Sequence, residues 1–209
     1  MKKSLPWGVL CLCLFIMSCR KDPLNNLTAE ESRIYITNYD TSARFQNYRT
    51  FSIIDSVAVI NNNQLQTHDR TSIDAQFINA VANALTARGY TRVSRAQAPD
   101  LGVAISRVSN TSTNIVSYND YGGYYDNYWD SYYWNYGGYD YYFPTYYGVY
   151  QSSETALMID MFDLKNASQN NQIRSVWSGM IRGSGIFNSS NVDNQVTALF
   201  AQSPYLKYQ

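Results

Sequence analysis

The chain has 209 residues, with 16 Lys plus Arg against 16 Asp plus Glu, 20 tyrosines, three cysteines and one histidine. That length allows one domain with a full core. The even charge, with no basic stripe, argues against nucleic acid as a partner, because phosphate neutralisation carries much of such affinity. Cys11, Cys13 and Cys19 all lie at the N-terminus and His68 stands alone, so the remainder offers no disulfide, no thiolate or His-rich metal site and no cofactor motif.

The chain opens MKKSLPWGVLCLCLFIMSC. Lys2 and Lys3 form a basic start and Leu5 to Met17 an apolar stretch. That stretch is shorter than the roughly 20 residues a spanning helix needs, so residues 1–18 read as a cleaved signal peptide. Ile16-Met17-Ser18-Cys19 has the form of a bacterial lipobox, which makes Cys19 the expected lipidation site. Leu10 and Leu12 stand before Cys11 and Cys13, where a small residue is wanted. Acyl chains add membrane affinity of about 0.8 kcal/mol per buried CH₂. Cleavage leaves 14 basic and 16 acidic side chains, a formal net of −2. No aspartate directly follows Cys19, which favours the outer membrane over the inner. Residues 19–33 read as the lipidated cysteine and a polar tether.

A single domain is expected over 34–206. IYITNYD (34–40) and RTFSIIDSV (49–57) are rich in β-branched and aromatic residues and predict strands. NNNQLQTHDR (61–70) reads as a polar loop, carrying His68 beside Asp69. TSIDAQFINAVANALTARGY (71–90) predicts a helix: Thr71 and Asp74 form a capping box, Ile73, Phe77, Val81 and Leu85 recur at helical spacing, and Gly89 stops it. LGVAISRVS (101–109) predicts a strand. ETALMIDMFD (154–163) predicts another, with Leu157, Ile159 and Met161 on one face and Met158, Asp160 and Phe162 on the other. KNASQNN (165–171) reads as a turn and IRSVWSGMIRGSG (173–185) as the return strand. Val192, Val196, Leu199 and Phe200 predict a short closing helix. The expected fold is α+β: a mostly antiparallel sheet of about five strands, two helices packed on one face, and a long Tyr-rich insertion.

The segments YDTSARFQNYRTF (39–51), LTARGYTRV (85–93), APDLGVAI (98–105), ALMIDMFD (156–163), VWSGMIRG (176–183) and SPY (203–205) resemble, in order and spacing, a bacterial envelope lipoprotein family catalogued as domain of unknown function 4136. The resemblance spans roughly 34 to 206. It implies an α+β domain behind a lipidated cysteine in the cell envelope, and it brings no activity or catalytic residues with it.

The insertion, residues 118–150, holds 14 of the 20 tyrosines with Trp129, Trp134 and Phe143, four aspartates and no Lys or Arg. Tyr121-Gly-Gly-Tyr124 recurs as Tyr136-Gly-Gly-Tyr139. With Val149 its single aliphatic residue, it cannot build a core of its own. Tyrosine and tryptophan offer large contact area with a polar handle at low entropic cost. The expected function is therefore a non-catalytic, membrane-anchored binding or structural module with an envelope protein or glycan as partner. Tyr125, Tyr128, Trp129, Tyr133, Trp134 and Tyr142 are the candidate ligand contacts.

The alternative is an Asp-dependent hydrolase of an envelope glycan using Asp160 or Asp100, acids on apolar strands that need partners. Arg88, Arg107, Arg174 and Arg182 are available to pair with them. Asp160 and Asp163 should face opposite ways, and Glu154 lies roughly 20 Å from Asp160 along the strand. No nucleophile elbow or Walker loop is present.

Overall fold

The computed structural model describes residues 27–28, 30–62, 64–109, 131–143 and 155–208, with the backbone alone at 115–117 and 147–149. The expected signal peptide (1–18), Cys19, Tyr125, Tyr128 and Trp129 lie outside the described residues.

Strands β1 (Ile34–Tyr39), β2 (Thr50–Asn61) and β3 (Gln64–Asp69) lead into helix α1 (Ser72–Ala87); β4 (Thr91–Arg92) and β5 (Leu101–Ser109) follow. Then come β6 (Ile115–Ser117), β7 (Asp140–Tyr142), β8 (Tyr147–Val149), β9 (Thr155–Asp163), α2 (Ala167–Asn170), β10 (Gln172–Arg182) and α3 (Val192–Ala201). Eight strands form one open mixed sheet in the order β1-β10-β9-β5-β2-β3, with β4 on β2 and β7 on β10; β6 and β8 pair separately. The fold is α+β, and it differs from the expectation in detail.

The expected hairpin is β9 and β10, antiparallel with Ser178 opposite Asp160. Three pairings are parallel rather than antiparallel: β2 with β5, β2 with β4 and β10 with β7. The first arises because the chain crosses the sheet through α1 before it returns as β5. The polar stretch expected as a loop contains β3, which pairs with β2 and places His68 opposite Ala58. It is an edge strand in which four of six residues are exposed, so hydrophobic alternation does not reveal it. A polar edge also discourages sheet-to-sheet association. The expected turn at 165–171 holds the four-residue α2.

One face of the sheet carries α1 and α3. Phe77, Val81 and Leu85 of α1 and Val196, Leu199 and Phe200 of α3 are buried against Phe51, Val57, Leu157, Ile159, Met161 and Trp177. Each such side chain contributes about 1.5–3 kcal/mol on burial. The Thr71–Asp74 capping box forms in both directions, and Gly89 ends the helix at φ 90°. Trp177 is fully buried and donates to the Ser203 hydroxyl at 2.9 Å. Gly179 makes room for it: a Cβ there would sit 2.4 Å from the indole ring.

The opposite face is covered differently. Ile54, Ala58, Ala104, Met158, Phe162 and Met180 point to it and meet Trp134, Tyr133, Tyr136, Tyr139, Tyr141 and Phe143. Residues 131–143 of the aromatic insertion thus supply part of the second hydrophobic layer.

Candidate functional site

At the end of the sheet where β1 and β9 finish and β10 begins, a cleft of about 510 Å³ opens. Each element delivers polar groups to it for a local reason. The chain leaves β1 at Asp40, whose Oδ1 accepts from the Ser42 amide (2.8 Å) and hydroxyl (2.6 Å), closing a turn. A short 3-10 turn at Phe45–Asn47 follows, anchored by buried Phe45, and presents Tyr48. At the end of β9, Asp163 accepts from the Asn166 amide at 2.9 Å, the Asn166 side chain at 2.7 Å and the Tyr48 hydroxyl at 3.0 Å. From α2 and its flanks come Asn166, Gln169 and Asn170. From β10 comes Arg174, which donates to Asp40 Oδ2 at 2.8 Å.

Burial pushes the Asp40 carboxyl up, but the Ser42 side chain, Arg174 and the Ser42 amide outweigh it, so the net direction is down. Asp40 therefore stays ionised and fixes Arg174. Burial, then the Asp163 charge and hydrogen bond, pushes the Tyr48 hydroxyl well above its ordinary range, so it remains a donor to Asp163.

The aromatic insertion reaches this cleft. β7 runs beside the start of β10 and pairs Tyr142 with Arg174. The guanidinium carbon lies 4.7 Å from the Tyr142 ring centroid, within cation–π range. Tyr142 is 40% exposed, so part of it packs on Arg174 while the remainder is open to solvent.

The other described candidates lie elsewhere. Tyr133 is half-buried and lines a second groove with Arg92 and Arg95; the Arg95 guanidinium sits 4.8 Å from its ring centroid and donates to its carbonyl at 3.1 Å. Trp134 is 3% exposed and packs as a core residue. Its seat is Gly102, where a Cβ would lie 2.9 Å from the indole. Burial of this kind removes Trp134 from the accessible surface.

Asp100 and Asp160 are not brought together. Ala104 pairs with Asp160 across β5 and β9, so the two acids are about 13 Å apart at strand rise. Asp160 is buried and accepts from the Ser178 hydroxyl at 2.5 Å. Asp100 accepts from the Arg49 and Thr50 amides at 2.6 and 3.1 Å and pairs with Lys165 at 3.7 Å, tying the start of β2 to the loop after β9. Two of the arginines expected to serve these acids pair with other ones: Arg174 with Asp40, and Arg107 with Asp69 and Asp74. His68 is exposed, and the neighbouring Asp69 is committed to Arg107 at 2.9 Å. Among the described residues no group of three or more His, Cys, Asp or Glu side chains could hold a metal.

The cleft residues Asp40, Tyr48, Asp163 and Arg174 were not singled out by sequence reasoning as a site. The available signal was the polar, aromatic-studded stretch YDTSARFQNYRTF, which contains Asp40, Arg44 and Tyr48.

The model of a family described as a domain of unknown function, DUF4136, matches residues 36–205. The chain belongs to the DUF4136 family. A solved DUF4136 family protein from Bacteroides thetaiotaomicron is 24% identical with a TM-score of 0.67, covering 85% of this chain and 99% of that one, and it shows the same fold. Two further structures are more distant. A PDZ domain protein from Parabacteroides distasonis has 15% identity and a TM-score of 0.46, covering 85% of this chain and 37% of that one. A PelC dodecamer from Paraburkholderia phytofirmans has 13% identity and a TM-score of 0.39, covering 85% of this chain and 99% of that one. No functionally curated protein matches. The function of the DUF4136 cleft therefore has to follow from its own chemistry.

Proposed function

We propose that this DUF4136 protein is an envelope lipoprotein, anchored through Cys19 in the outer membrane, that binds an envelope glycan by contact rather than by turnover. The observation that carries the binding reading is Tyr142: a partly exposed ring from the aromatic insertion, packed on Arg174, which lines the cleft. The same cleft is lined by Asn47, Asn166, Gln169 and Asn170. Amide side chains offer a donor and an acceptor together, and an aromatic face suits the apolar face of a sugar ring. The lipobox motivates the anchor, and the absence of an aspartate after Cys19 motivates the membrane.

Removing the whole aromatic insertion is a poor test, because it would uncover Phe162 and Leu164. The sharper variant is Tyr142→Ala in the full chain. Binding to peptidoglycan fragments and to a panel of soluble oligosaccharides should fall about tenfold, since one aromatic contact is worth on the order of 1–2 kcal/mol. Equal binding by both proteins across the panel would sink the proposal.

A second reading, carboxylate-dependent hydrolysis, is favoured by one observation: Asp40 and Asp163 line the same cleft. Against it, both Asp163 oxygens are engaged by donors of the chain itself, and Asp40 is held ionised by Ser42 and Arg174. Product release from a glycan that stops in Asp40→Asn would favour this reading over the first.

A further inference from the structure

The net charge of the chain conceals a local asymmetry. We infer that the end of the sheet bearing the cleft is a docking face for an acidic, carboxylate-bearing polysaccharide, an inference that rests on the glycan reading above and narrows its ligand.

Six cations gather at this end: Arg44, Arg49, Arg92, Arg95, Lys165 and Arg174. All but Arg174 are exposed. They form a continuous set. Arg44, Lys165 and Arg174 line the cleft. Lys165 Nζ donates to the Asn47 carbonyl at 2.6 Å and pairs with Asp100, whose carboxylate holds the Arg49 amide. Thr91, next to Arg92, donates its amide to the Arg49 carbonyl at 2.9 Å. Arg92 and Arg95 then line the second groove with Tyr133.

Three of the five acids of the same end are turned inward. Asp40 and Asp163 are 9% and 5% exposed, and the half-buried Asp100 is occupied by two backbone amides. Asp140 on β7 is exposed, and so is Asp55, which lines the groove and pairs with Arg70 at 3.5 Å, so two exposed acids face five exposed cations. The charge presented to solvent is therefore positive although the residue count is nearly balanced. Burying the acids and exposing the bases gives a field that attracts anions.

The chemistry between the cations decides the kind of anion. Amides line the cleft, Tyr142 packs on its Arg174 and Tyr133 lines the other groove, so hydroxyls and ring faces are served as well as charge. From β10 to β2 is three strand spacings, about 14 Å, which suits an oligomer rather than one sugar. An anionic membrane would call for aliphatic side chains to insert. Among the described residues the exposed large hydrophobics at this end are tyrosines, whereas Leu27 and Ile34 lie towards the start of β1, at the other end.

The test uses the full chain in detergent micelles and three kinds of probe: oligogalacturonate, its methyl ester, and competing polyanions (a DNA duplex and phosphatidylglycerol vesicles). The acid should bind at least about tenfold more tightly than the ester, and the preference should shrink as salt rises. Arg44→Gln combined with Lys165→Gln should remove most of the preference, while Arg182→Gln, opposite Ile34 at the other end of the sheet, should leave it intact. Equal binding of acid and ester overturns this inference and leaves the glycan reading standing. Stronger binding to the duplex or the vesicles overturns it in favour of that partner. Binding to neither galacturonate form overturns both.

Discussion

On the helix side of the sheet the cover is mostly aliphatic and periodic: α1 and α3 supply Phe77, Val81, Leu85, Val196 and Leu199 to the cluster that holds Trp177. On the other side residues 131–143 cover Ala104, Phe162 and Met180 with Trp134 and a set of tyrosines, using a 3-10 turn and a three-residue strand. Trp177 and Trp134 occupy corresponding roles. Each is buried and each is admitted by a glycine on a strand, Gly179 and Gly102 respectively. They differ in polarity. The Trp177 N–H has Ser203 as its acceptor, and the Trp134 N–H has none among the described residues. The helix side is thus a core whose buried indole is satisfied. The aromatic side is a cover in which the matching donor is left unpaired, and it ends in a side chain, Tyr142, that faces outward.

The two tryptophans separate the faces by the widest margin. Trp177→Ala should cost about 3–5 kcal/mol in denaturant unfolding. Trp134→Ala should cost less, because a short segment can settle into the vacated space more readily than two helices can. Equal losses would mean that the aromatic cover is as rigid as the helical one.

Alkaline titration separates them next. The tyrosines are concentrated in the aromatic insertion, yet Tyr48 and Tyr90, the two pushed furthest up, both belong to the helix-side core. Burial comes first in each case. Their folded-state values lie above the unfolded one, so their contribution is fully present below about pH 10 and is lost as pH rises further. Each should cost about 1.4 kcal/mol per pH unit there. Tyr48→Phe and Tyr90→Phe should flatten that slope, as read by urea unfolding at pH 9, 10 and 11.

Conservative tryptophan replacements give a smaller effect with opposite expectations. Trp177→Phe should cost about 1 kcal/mol more than Trp134→Phe, because the first loses the hydrogen bond to Ser203 and the second sheds a donor with no partner among the described residues. A reversal of that order, in the same unfolding assay, would show that the Trp134 N–H is satisfied in solution.

The smallest effect is expected at the cleft. Asp40 is shifted down, so its contribution is present above its ordinary carboxylate value and is lost as pH falls through the lower folded one. Arg174→Gln should reduce stability at pH 7 by about 1 kcal/mol and weaken the acid dependence. An unchanged acid limb would show that Ser42 alone holds Asp40.

How much of this was legible follows from how each element is specified. α1 was readable because capping and periodicity coincide at Thr71, Asp74, Phe77, Val81 and Leu85. The faces of β9 were readable from alternation, and Leu157, Ile159 and Met161 do lie on the helix side while Met158 and Phe162 lie on the other. β3 was not, because an edge strand with one partner can be polar throughout. The role of residues 131–143 was hidden for a related reason: tyrosine carries the same letter whether it covers a core, as Tyr141 does, or stands at a rim, as Tyr142 does. The cleft was hidden because its parts come from three separate segments, one holding both Asp40 and Tyr48, one starting at Asp163 and one at Arg174, that meet only through strand pairing. The Tyr-Gly-Gly-Tyr unit was legible as a repeat but not as geometry: Gly138 takes φ 84°, a turn conformation that a side chain would strain.

Under the proposed function the aromatic insertion has two roles, divided between a side chain that covers the core, Trp134, and one proposed to meet a ligand, Tyr142. Paired unfolding and glycan-binding curves for Trp134→Ala and Tyr142→Ala, in the full chain, test that division. Tyr142→Ala should keep its stability within about 0.5 kcal/mol and lose about tenfold in affinity, while Trp134→Ala should lose stability and, where folded, retain binding. Intact affinity in Tyr142→Ala, with a stability loss matching that of Trp134→Ala, would overturn it.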